Sequence, residues 1–600
     1  MKDIIKIIWR LLSLRERIVS GFLVVGVLIA ALLDAAGVAS IVPFLTLLSD
    51  PSAIEKHETL MRVYEYSGYD TPHEFLFLLG WGTLALVVTS SILQAVSQYT
   101  QIHFGEMRRV SLSGRLLKKY LSQSYGFFLS QHSSNITRYL LSEVNVVTGR
   151  CIVPLILLVA NSIHAVILVA LIFWLEPLIA LGATLFIGGS FLVIFLFMRN
   201  RITELGTKRM EASRRCFMIA SDAINGIKDV KLYNLESAFI HRFDRGITEF
   251  SNYNASNEVA SIFPRFSIQI LVFSGMMVAL MFLLKDNRDL SHSLPTMGLL
   301  VFAGTRLLPK FQTIYQCIVR IRFGSPALRK LEEHLTMSEN DWTKEKIEPL
   351  FPSKEITLSG VSFFYPESDK PAVHNLDLII PVHHTVGLIG PSGAGKTTVI
   401  DLLLSLYPPS SGHLKVDGEV INAVNERRWQ QALGYVPQDI FLLDSSIKEN
   451  IAFGVPLDEI DESLVKHVAR QANIHDFIIE HLPEGYDTKV GERGIRLSGG
   501  QKQRIGIARA LYRQPAVLVF DEATSAVDNI TEREIVKTLT EIGEEKTIIM
   551  IAHRLDTVRN CDCIYLMDKG KVVASGTYDD LAKHDPRFRE MLGESASNIF

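Results

Sequence analysis

Residues 390–397 form a glycine-rich octapeptide, Gly-Pro-Ser-Gly-Ala-Gly-Lys-Thr, whose residue types and spacing suit phosphate binding. The octapeptide fits the pattern G-x-x-x-x-G-K-[ST] and lies between an apolar strand, Val386–Gly390, and a predicted helix, Thr398–Tyr407. Its glycines let backbone N–H groups turn towards phosphate oxygens at a helix amino terminus, which favours anions. Lys396 is expected to reach the β- and γ-phosphates, and the Thr397 hydroxyl to bind Mg²⁺. We therefore predict that the following residues bind ATP and its Mg²⁺: Gly390, Pro391, Ser392, Gly393, Ala394, Gly395, Lys396, Thr397 and Thr398.

An acidic pair, Asp521 and Glu522, follows a second apolar strand, Val517–Phe520. This strand would deliver Asp521 to the metal beside the phosphate loop, where its carboxylate helps to hold Mg²⁺. Glu522 would polarise the attacking water as a general base. Such a pair is common by itself, but it is specific in a chain that also has the phosphate loop. We therefore predict ATP hydrolysis with Glu522 as the catalytic base.

The segment Leu497–Gln501 reads Leu-Ser-Gly-Gly-Gln, continues into Lys502–Ala510, and lies about 20 residues before the acidic pair. It resembles the signature of the ABC transport ATPases. A serine and two glycines at a helix start form a second anion cradle. The resemblance implies that this cradle caps the γ-phosphate of an ATP molecule held by the opposite subunit. Its members are Ser498, Gly499, Gly500 and Gln501.

Further segments match this family in the expected order. The resemblance implies that Tyr365 stacks on adenine and that Gln438 senses Mg²⁺ and contacts the membrane domain. It also implies that His553 contacts the γ-phosphate. Residues 490–494 resemble a segment that precedes the signature in exporters, and residues 525–528 match a loop that crosses the dimer interface. These matches predict an exporter rather than an importer.

The composition indicates a chain with two different parts. The mean hydropathy is +0.22 although 21% of the 600 residues are charged. A soluble protein would seldom have the first value and a pure membrane bundle would seldom have the second. The net charge of −3 gives no reason to expect a nucleic acid partner. The five scattered cysteines argue against a disulfide framework.

Six apolar runs lie in the first half of the chain. Each can supply roughly 20 residues of helix, enough to cross ~30 Å of hydrocarbon. The runs are Val19–Ser49, Phe75–Ser97, Ile152–Leu175, Leu178–Met198, Phe266–Leu284 and Pro295–Val319. The first run is longer than the apolar core of a secretory signal peptide. Before it, residues 1–18 alternate apolar and basic side chains, which predicts an amphipathic helix in the membrane interface.

The basic residues predict which side of the membrane each connection occupies. Segments 1–18, 105–138 and 199–245 contain 5, 6 and 10 Lys plus Arg residues, whereas the other three connections contain only four. The amino terminus, both long loops and the ATPase part are therefore expected on the cytoplasmic side, and the membrane is expected to be a bacterial inner membrane. Within the loops, Arg108–Tyr120 and Lys208–Phe243 are predicted to continue as helices.

These observations predict a fold with an α-helical six-helix transmembrane domain and an α/β P-loop ATPase domain. The boundaries are an interfacial helix at 1–18, a membrane domain at 19–325 with an external helix near 51–70, a linker at 326–352 and the ATPase at 353–600. The chain has one phosphate loop and one signature, both intact, so a symmetric homodimer is the simplest assembly. The resemblance implies a domain-swapped exporter dimer. A heterodimer remains the alternative.

The cargo is predicted from a second resemblance and from charge. Leu32–Gly37, Ile41–Pro51 and Gly304–Pro309 look like segments of the lipid-linked oligosaccharide flippases. Charged side chains in membrane spans are costly and usually face a cavity or a partner. Arg306 and Arg265 could therefore bind an anionic, lipid-linked glycan, and pairing of Arg306 with Asp34 is the alternative. A lipid A or glycolipid exporter and a multidrug exporter remain open.

Overall fold

The computed structural model describes the chain apart from residues 50–53, 55–57, 70, 176, 286–289, 339–347, 367, 492–493, 522–533, 535–536, 539, 544, 553 and 598–600. The described residues form two compact units. The first unit contains Met1–Gln123 and Phe127–Trp342, and the second contains Ser124–Gly126 and Thr343–Phe600.

The first unit is helical throughout its described part. Its principal helices are α1 (Lys2–Leu11), α2 (Leu14–Ala39), α3 (Ile41–Ser49), α4 (Glu58–Ser67), α5 (Pro72–Leu121), α6 (Tyr125–Ser130, which begins in the second unit), α7 (Ser133–Arg138), α8 (Val144–Val147), α9 (Val153–Leu175), α10 (Pro177–Asn225), α11 (Ile227–Leu232), α12 (Glu236–Lys285) and α13 (Leu290–Leu335). Two π-helical turns, Tyr139–Glu143 and Thr148–Ile152, lie on either side of α8.

The amino-terminal helix ends earlier than its amphipathic pattern predicts. Ser13 caps the start of α2, because its hydroxyl accepts a hydrogen bond from the Glu16 N–H while the Glu16 carboxylate accepts one from the Ser13 N–H. Residues 1–18 therefore form one short helix and the first turn of the next. Ile4, Ile8 and Leu11 of α1 are buried. The Arg115 guanidinium of α5 donates to the Leu11 carbonyl, which fixes α1 against the bundle.

Three helical stretches within the described residues are long and apolar enough to cross a membrane: Leu14–Leu48, Pro72–Leu121 and Ser133–Trp174. Large apolar side chains on them, such as Phe22 and Trp81, are exposed, as expected for surfaces that contact lipid. The fourth, fifth and sixth predicted runs lie within α10, α12 and α13. Part of each lies outside the residues whose side chains the structure describes.

Four helices are much longer than a membrane crossing requires. α5 and α12 each have 50 residues, α10 has 49 and α13 has 46. At 1.5 Å per residue, a helix of about 50 residues is ~75 Å long, more than twice the hydrocarbon thickness. The predicted extension Arg108–Tyr120 lies inside α5, and Lys208–Phe243 is helical apart from short breaks near Gly226 and Asn234. α13 also continues through residues 326–335, where the sequence predicted the beginning of a linker.

The second unit contains two sheets. The strands are β1 (Glu355–Phe363), β2 (Val373–Pro381), β3 (Thr385–Ile389), β4 (Ser411–Val416), β5 (Glu419–Val420), β6 (Leu433–Val436), β7 (Val517–Asp521), β8 (Thr547–Ile551), β9 (Cys563–Asp568) and β10 (Lys571–Gly576). An antiparallel sheet has the order β2-β1-β4-β5, and a six-stranded sheet has the order β10-β9-β3-β8-β7-β6. Every neighbouring pair in the larger sheet is parallel except β10 with β9.

Helices surround the larger sheet. They are α14 (Lys396–Leu403), α15 (Glu426–Gln431), α16 (Ile447–Ile451), α17 (Glu462–Gln471), α18 (His475–His481), α19 (Gly499–Tyr512), α20 (Tyr578–His584) and α21 (Pro586–Ser597). The strands β7 and β8 are buried along their whole length. This burial explains their continuous apolar sequences, since a parallel strand that is covered on both faces does not alternate polar and apolar residues.

Candidate active site

The phosphate loop connects β3 to α14 through three glycines with positive φ angles, and two of them have no room for a side chain. Gly390, Gly393 and Gly395 have φ angles of 150°, 81° and 96°. A Cβ atom on Gly390 would lie 2.2 Å from the Met567 carbonyl oxygen. A Cβ atom on Gly395 would lie 2.7 Å from the Ala372 carbonyl oxygen. The positive φ angles and the lack of space explain the glycine spacing, and they let the chain enter α14 directly at Lys396.

Lys396 lies inside the loop. Its side chain is buried, and its Nζ donates hydrogen bonds to the Gly390 carbonyl at 2.8 Å and the Pro391 carbonyl at 3.1 Å. Around Gly393, by contrast, a Cβ atom would meet nothing within 4 Å. The loop thus has a buried ammonium group at one side and open space at its tip, an arrangement that fits a bound phosphate.

The order of the larger sheet brings the remaining candidates to the same edge. In a parallel sheet the carboxyl ends of the strands lie side by side, and ligands bind there. β3 leads to Gly390, β7 ends at Asp521, and β6 is followed after one residue by Gln438. β8 lies between β3 and β7, and Ala552 follows it. The structure therefore places the ends of four strands that carry predicted site residues along one edge.

Asp521 is held by residues that the sequence patterns did not identify. Its side chain is buried, and Tyr435 at the third position of β6 donates a hydrogen bond to its Oδ2 at 3.4 Å. Burial and, to a smaller extent, the nearby charge of Asp521 together raise the pKa of the Asp401 carboxyl on α14 to about 6. Burial, the charge of Asp521 and that of Asp401 also raise the pKa of the Tyr435 hydroxyl. Asp401 falls on α14 only five positions after Lys396, a signal that could have placed it near the phosphates.

The donor set at this edge fits Mg²⁺, which prefers hard oxygen ligands. The Thr397 hydroxyl, the Gln438 amide oxygen and the Asp521 carboxylate would hold the ion. When bound, it would neutralise the phosphate charge that develops during hydrolysis.

The aromatic candidate Tyr365 lies beside the start of α14. Its hydroxyl shares a hydrogen bond with the Thr398 hydroxyl at 3.0 Å. Its ring contacts those of Phe363 and Tyr407 edge-to-face, with centroid separations of 5.1 Å and 5.8 Å. Phe363 is buried, whereas Phe364 is exposed. The structure thus brings Tyr365 to the phosphate loop, where a base attached to the bound phosphates can reach it.

The signature segment forms an exposed helix start. Ser498 caps α19: its hydroxyl accepts from the Gln501 N–H, and the Gln501 side chain accepts from the Ser498 N–H at 2.8 Å. The side chain of Ser498 and the backbone of Gly499 are exposed. The first N–H groups of α19 therefore point out of the chain, so an anion from another molecule could reach them. That this anion is the ATP of an opposite subunit stays a prediction.

Two predicted catalytic residues, Glu522 and His553, lie outside the described residues, as do residues 525–528 and two positions of the segment 490–494. Their immediate neighbours are described. Asp521 ends β7 directly before Glu522, and Ala552 follows β8 directly before His553. Both residues follow strands that end at the edge where the phosphate loop begins.

The membrane candidates separate into two groups. Arg306 on α13 lies 3.7 Å from the buried Asp34 carboxylate of α2, and it donates to the Ser91 hydroxyl at 3.5 Å. The pairing that the sequence raised as an alternative is therefore present. One turn along α13, Lys310 donates to Gln94 at 3.1 Å and lines a cavity of about 200 Å³ with Asn161, His164 and other polar residues. Arg265 has an exposed side chain on α12 and is not part of these contacts.

The larger sheet with its phosphate loop defines a P-loop ATPase, and the first unit adds helices that can cross a membrane. Family models described as "ABC transporter" and "ABC transporter transmembrane region" match residues 373–525 and 23–294. The chain belongs to the ABC transporter family, and it is a half-transporter with one membrane region and one ATPase domain. The fold class and the ATP-hydrolysing exporter activity predicted from the sequence are confirmed.

Individual ABC exporters are similar to this chain along most of its length. The chain is 30% identical to the ATP-dependent lipid A-core flippase of Saccharophagus degradans, and the alignment covers 84% of this chain and 85% of the relative. It is 31% identical to an ATM1-type heavy metal exporter of Novosphingobium aromaticivorans, over 73% of this chain and 72% of the relative. A solved bacterial Atm1-family ABC exporter with ATP bound superposes with a TM-score of 0.78 at 26% identity, covering 96% of this chain and 98% of that structure.

Proposed function

We propose that this ABC exporter is a flippase that moves a lipid-linked oligosaccharide from the cytoplasmic to the outer leaflet of a bacterial inner membrane. The observation that carries the proposal is the basic side of α13. Arg306 and Lys310 lie one turn apart, and the single acidic side chain facing them in the described contacts is Asp34. Charged side chains within membrane-spanning helices are energetically costly and usually serve transport. A surplus of positive charge suits a diphosphate linkage.

The working form is proposed to be a domain-swapped homodimer with two composite ATP sites. Lys396, Thr397, Gln438 and Asp521 would bind the phosphates and Mg²⁺ of one molecule, and Tyr365 would stack on its adenine. Glu522 would accept a proton from the attacking water, and His553 would contact the γ-phosphate. Ser498, Gly499, Gly500 and Gln501 would close the site from the other subunit. In such a dimer Arg306 and Lys310 are doubled, so the positive charge available to a cargo is doubled as well.

A lipid A-core or related glycolipid is the second candidate. The relative from Saccharophagus degradans supports it, because that protein is described as a lipid A-core flippase and aligns along most of both chains. Both candidates carry phosphate on a lipid, so the basic side of α13 alone does not separate them.

Transport by purified dimer in proteoliposomes tests the proposal. Replacing both Arg306 and Arg265 with Ala should stop the movement of a polyprenyl-diphosphate glycan, while basal ATP hydrolysis persists because neither residue belongs to the nucleotide site. Arg306→Lys should restore transport only in part, since an ammonium lacks the forked donors that grip phosphate oxygens.

A paired variant separates cargo binding from folding. Arg306→Ala alone leaves the buried Asp34 carboxylate without its ion-pair partner, which is destabilising by itself. Arg306→Ala combined with Asp34→Asn removes both charges. If the paired variant folds, hydrolyses ATP and flips the glycan at the wild-type rate, Arg306 does not bind the cargo and the drug-exporter alternative gains weight.

A further inference from the structure

A second basic site lies in the first unit, away from Arg306. It is an open cleft of about 450 Å³ lined by Arg150, Arg209, Arg320, Asn254 and Glu258. We call it the arginine cleft. Its residues come from the π-helical turn Thr148–Ile152 and from α10, α12 and α13. Arg150 lies two residues before the third apolar run, and Arg320 directly follows the sixth. With the orientation predicted from the basic residues, the cleft lies near the cytoplasmic ends of these two spans.

Ion pairs and aromatic rings hold guanidinium groups of the arginine cleft in place. Arg209 donates to the fully buried Glu143 at 3.0 Å, and Glu143 also accepts from the buried Arg138 at 2.6 Å. Aromatic rings support two of the arginines, since Phe323 lies 4.8 Å from the Arg150 guanidinium and Phe250 lies 5.6 Å from that of Arg209. Positions fixed in this way lose little side-chain entropy when an anion binds.

The cleft has more positive than negative charge. Among the described residues, the acidic partners of Arg150, Arg209, Arg320 and the adjacent Arg138 are Glu143 and Glu258. Glu258 lies 3.6 Å from the Arg150 Nη1, which is buried and has no hydrogen-bond acceptor among the described residues. Arg320 has no ion-pair partner in the described part of the chain. A purely structural cluster would satisfy these donors internally.

We infer that the arginine cleft binds a diphosphate group at the cytoplasmic side before transport. Guanidinium groups match phosphate oxygens through paired donors. Asn254 helps to position the Arg150 guanidinium, because its Oδ1 accepts a hydrogen bond from the Arg150 Nη2 at 3.3 Å, and Asn145 also lines the cleft. The π-helical turns that supply Ser142 and Arg150 support this role, because such turns occur frequently at functional sites. The lipid nature of the ligand rests on the proposed function, whereas diphosphate binding does not.

Direct binding tests this inference without any transport step. The full-length dimer in phosphatidylcholine nanodiscs is saturated with ADP and excess Mg²⁺, so that the phosphate loops are filled, and is titrated with radiolabelled farnesyl diphosphate or inorganic pyrophosphate. Arg320→Gln should weaken binding about tenfold, the scale of one lost charge-assisted hydrogen bond. Arg214→Gln is the matched control, because it removes an exposed arginine from α10 outside the cleft, and it should change nothing.

Glu258→Gln adds a variant for which the expected change has the opposite direction, tighter rather than weaker binding. Glu258 is the one acid among the described residues that line the cleft. Removing its charge should tighten binding about threefold or more, on the scale of a neighbouring like charge, whereas loss of a structural ion pair would loosen it. Stronger binding of farnesyl diphosphate than of pyrophosphate supports a lipid head group, and equal binding supports a soluble diphosphate. Binding to Arg320→Gln that equals the wild type, or weaker binding to Glu258→Gln, would overturn the inference. If the protein binds the diphosphate in this test but does not transport the glycan, only the proposed cargo is contradicted.

Discussion

Tyr365 is predicted to contribute to nucleotide affinity through its ring, and its hydroxyl shares a hydrogen bond with Thr398 at the start of α14. We predict that Tyr365→Ala weakens apparent ATP affinity more than it slows hydrolysis. Stacking of a base on an aromatic ring contributes about 1–3 kcal/mol in single-stranded nucleic acids, and we apply that scale. Tyr365→Phe is the control, because it keeps the ring and removes only the bond to Thr398. Unchanged affinity in Tyr365→Ala would assign stacking to another ring, with the exposed Phe364 the first to test.

The Asp401 carboxylate destabilises the folded ATPase domain by an amount that depends on pH. Its pKa is about 6 in the fold, above its ordinary value of 3.8, because of burial and the charge of Asp521. A carboxyl with a raised pKa costs nothing below its unfolded pKa of 3.8, destabilises the folded protein increasingly as pH rises from there to about 6, and has its full cost above about 6. Asp401→Asn should therefore stabilise the nucleotide-free ATPase domain by about 1–2 kcal/mol at pH 8 and by roughly half as much at pH 5.

Melting temperatures of the full-length protein at the two pH values measure this effect. A gain of about 1 kcal/mol corresponds to roughly 2–4 °C for a domain of this size. Glu426→Gln is the control in the same domain, because burial raises the pKa of Glu426 without a neighbouring aspartate. A variant Asp401→Asn with equal gains at pH 5 and pH 8 would show that the charge of Asp401 is not the cause.

The phosphate loop was predicted from sequence because its function fixes its residue types. Glycine positions, Lys396 and Thr397 are required by backbone geometry and phosphate chemistry, so the pattern alone locates them. Tyr435 and Asp401 could not be predicted in the same way, since their proximity to Asp521 arises from the strand order β3-β8-β7-β6. Sequence patterns do not specify that order.

Helices, too, were predicted from sequence more readily than the residues at which they begin and end. The apolar runs indicated the membrane helices, but the break before Leu14 depends on the reciprocal hydrogen bonds of Ser13 and Glu16. The predicted linker at 326–352 begins inside α13, which continues to Leu335 with Ala327, Leu328 and Leu331 buried. A change to polar composition after an apolar run does not by itself mark the end of a helix.

The geometry of the phosphate loop predicts that one added methyl group strongly weakens ATP binding. In Gly395→Ala the new Cβ would lie 2.7 Å from the Ala372 carbonyl, at a φ angle of 96°. We expect the loop to be displaced and ATP affinity to fall at least about tenfold, measured with a fluorescent ATP analogue. Gly418→Ala is the control, since its φ angle is 88° but its Cβ would meet nothing within 4 Å. Wild-type affinity in Gly395→Ala would mean that the loop conformation is not needed.

The predicted catalytic base, Glu522, offers a test of the proposed dimeric assembly. Glu522→Gln should leave ATP binding intact and reduce turnover by ~10²–10⁴-fold, the range for a positioned base. Bound ATP would then hold the two ATPase domains together, so ATP should produce crosslinks between cysteines introduced at Ser498 of one subunit and Ser392 of the other. Hydrolysis at the wild-type rate would show that Glu522 is not the base. Absence of ATP-dependent crosslinks in an inactive variant would contradict the composite site instead.

The most direct test of the whole account is ATP-driven movement of the glycan. Proteoliposomes contain the homodimer and a fluorescent polyprenyl-diphosphate oligosaccharide, and a glycosidase outside the vesicles reports how much glycan remains accessible. We predict that Mg²⁺ and ATP move glycan to the protected leaflet with the wild-type protein, and that Glu522→Gln moves none under the same conditions. If the wild-type protein hydrolyses ATP but protects no more glycan than Glu522→Gln, the proposed cargo is contradicted.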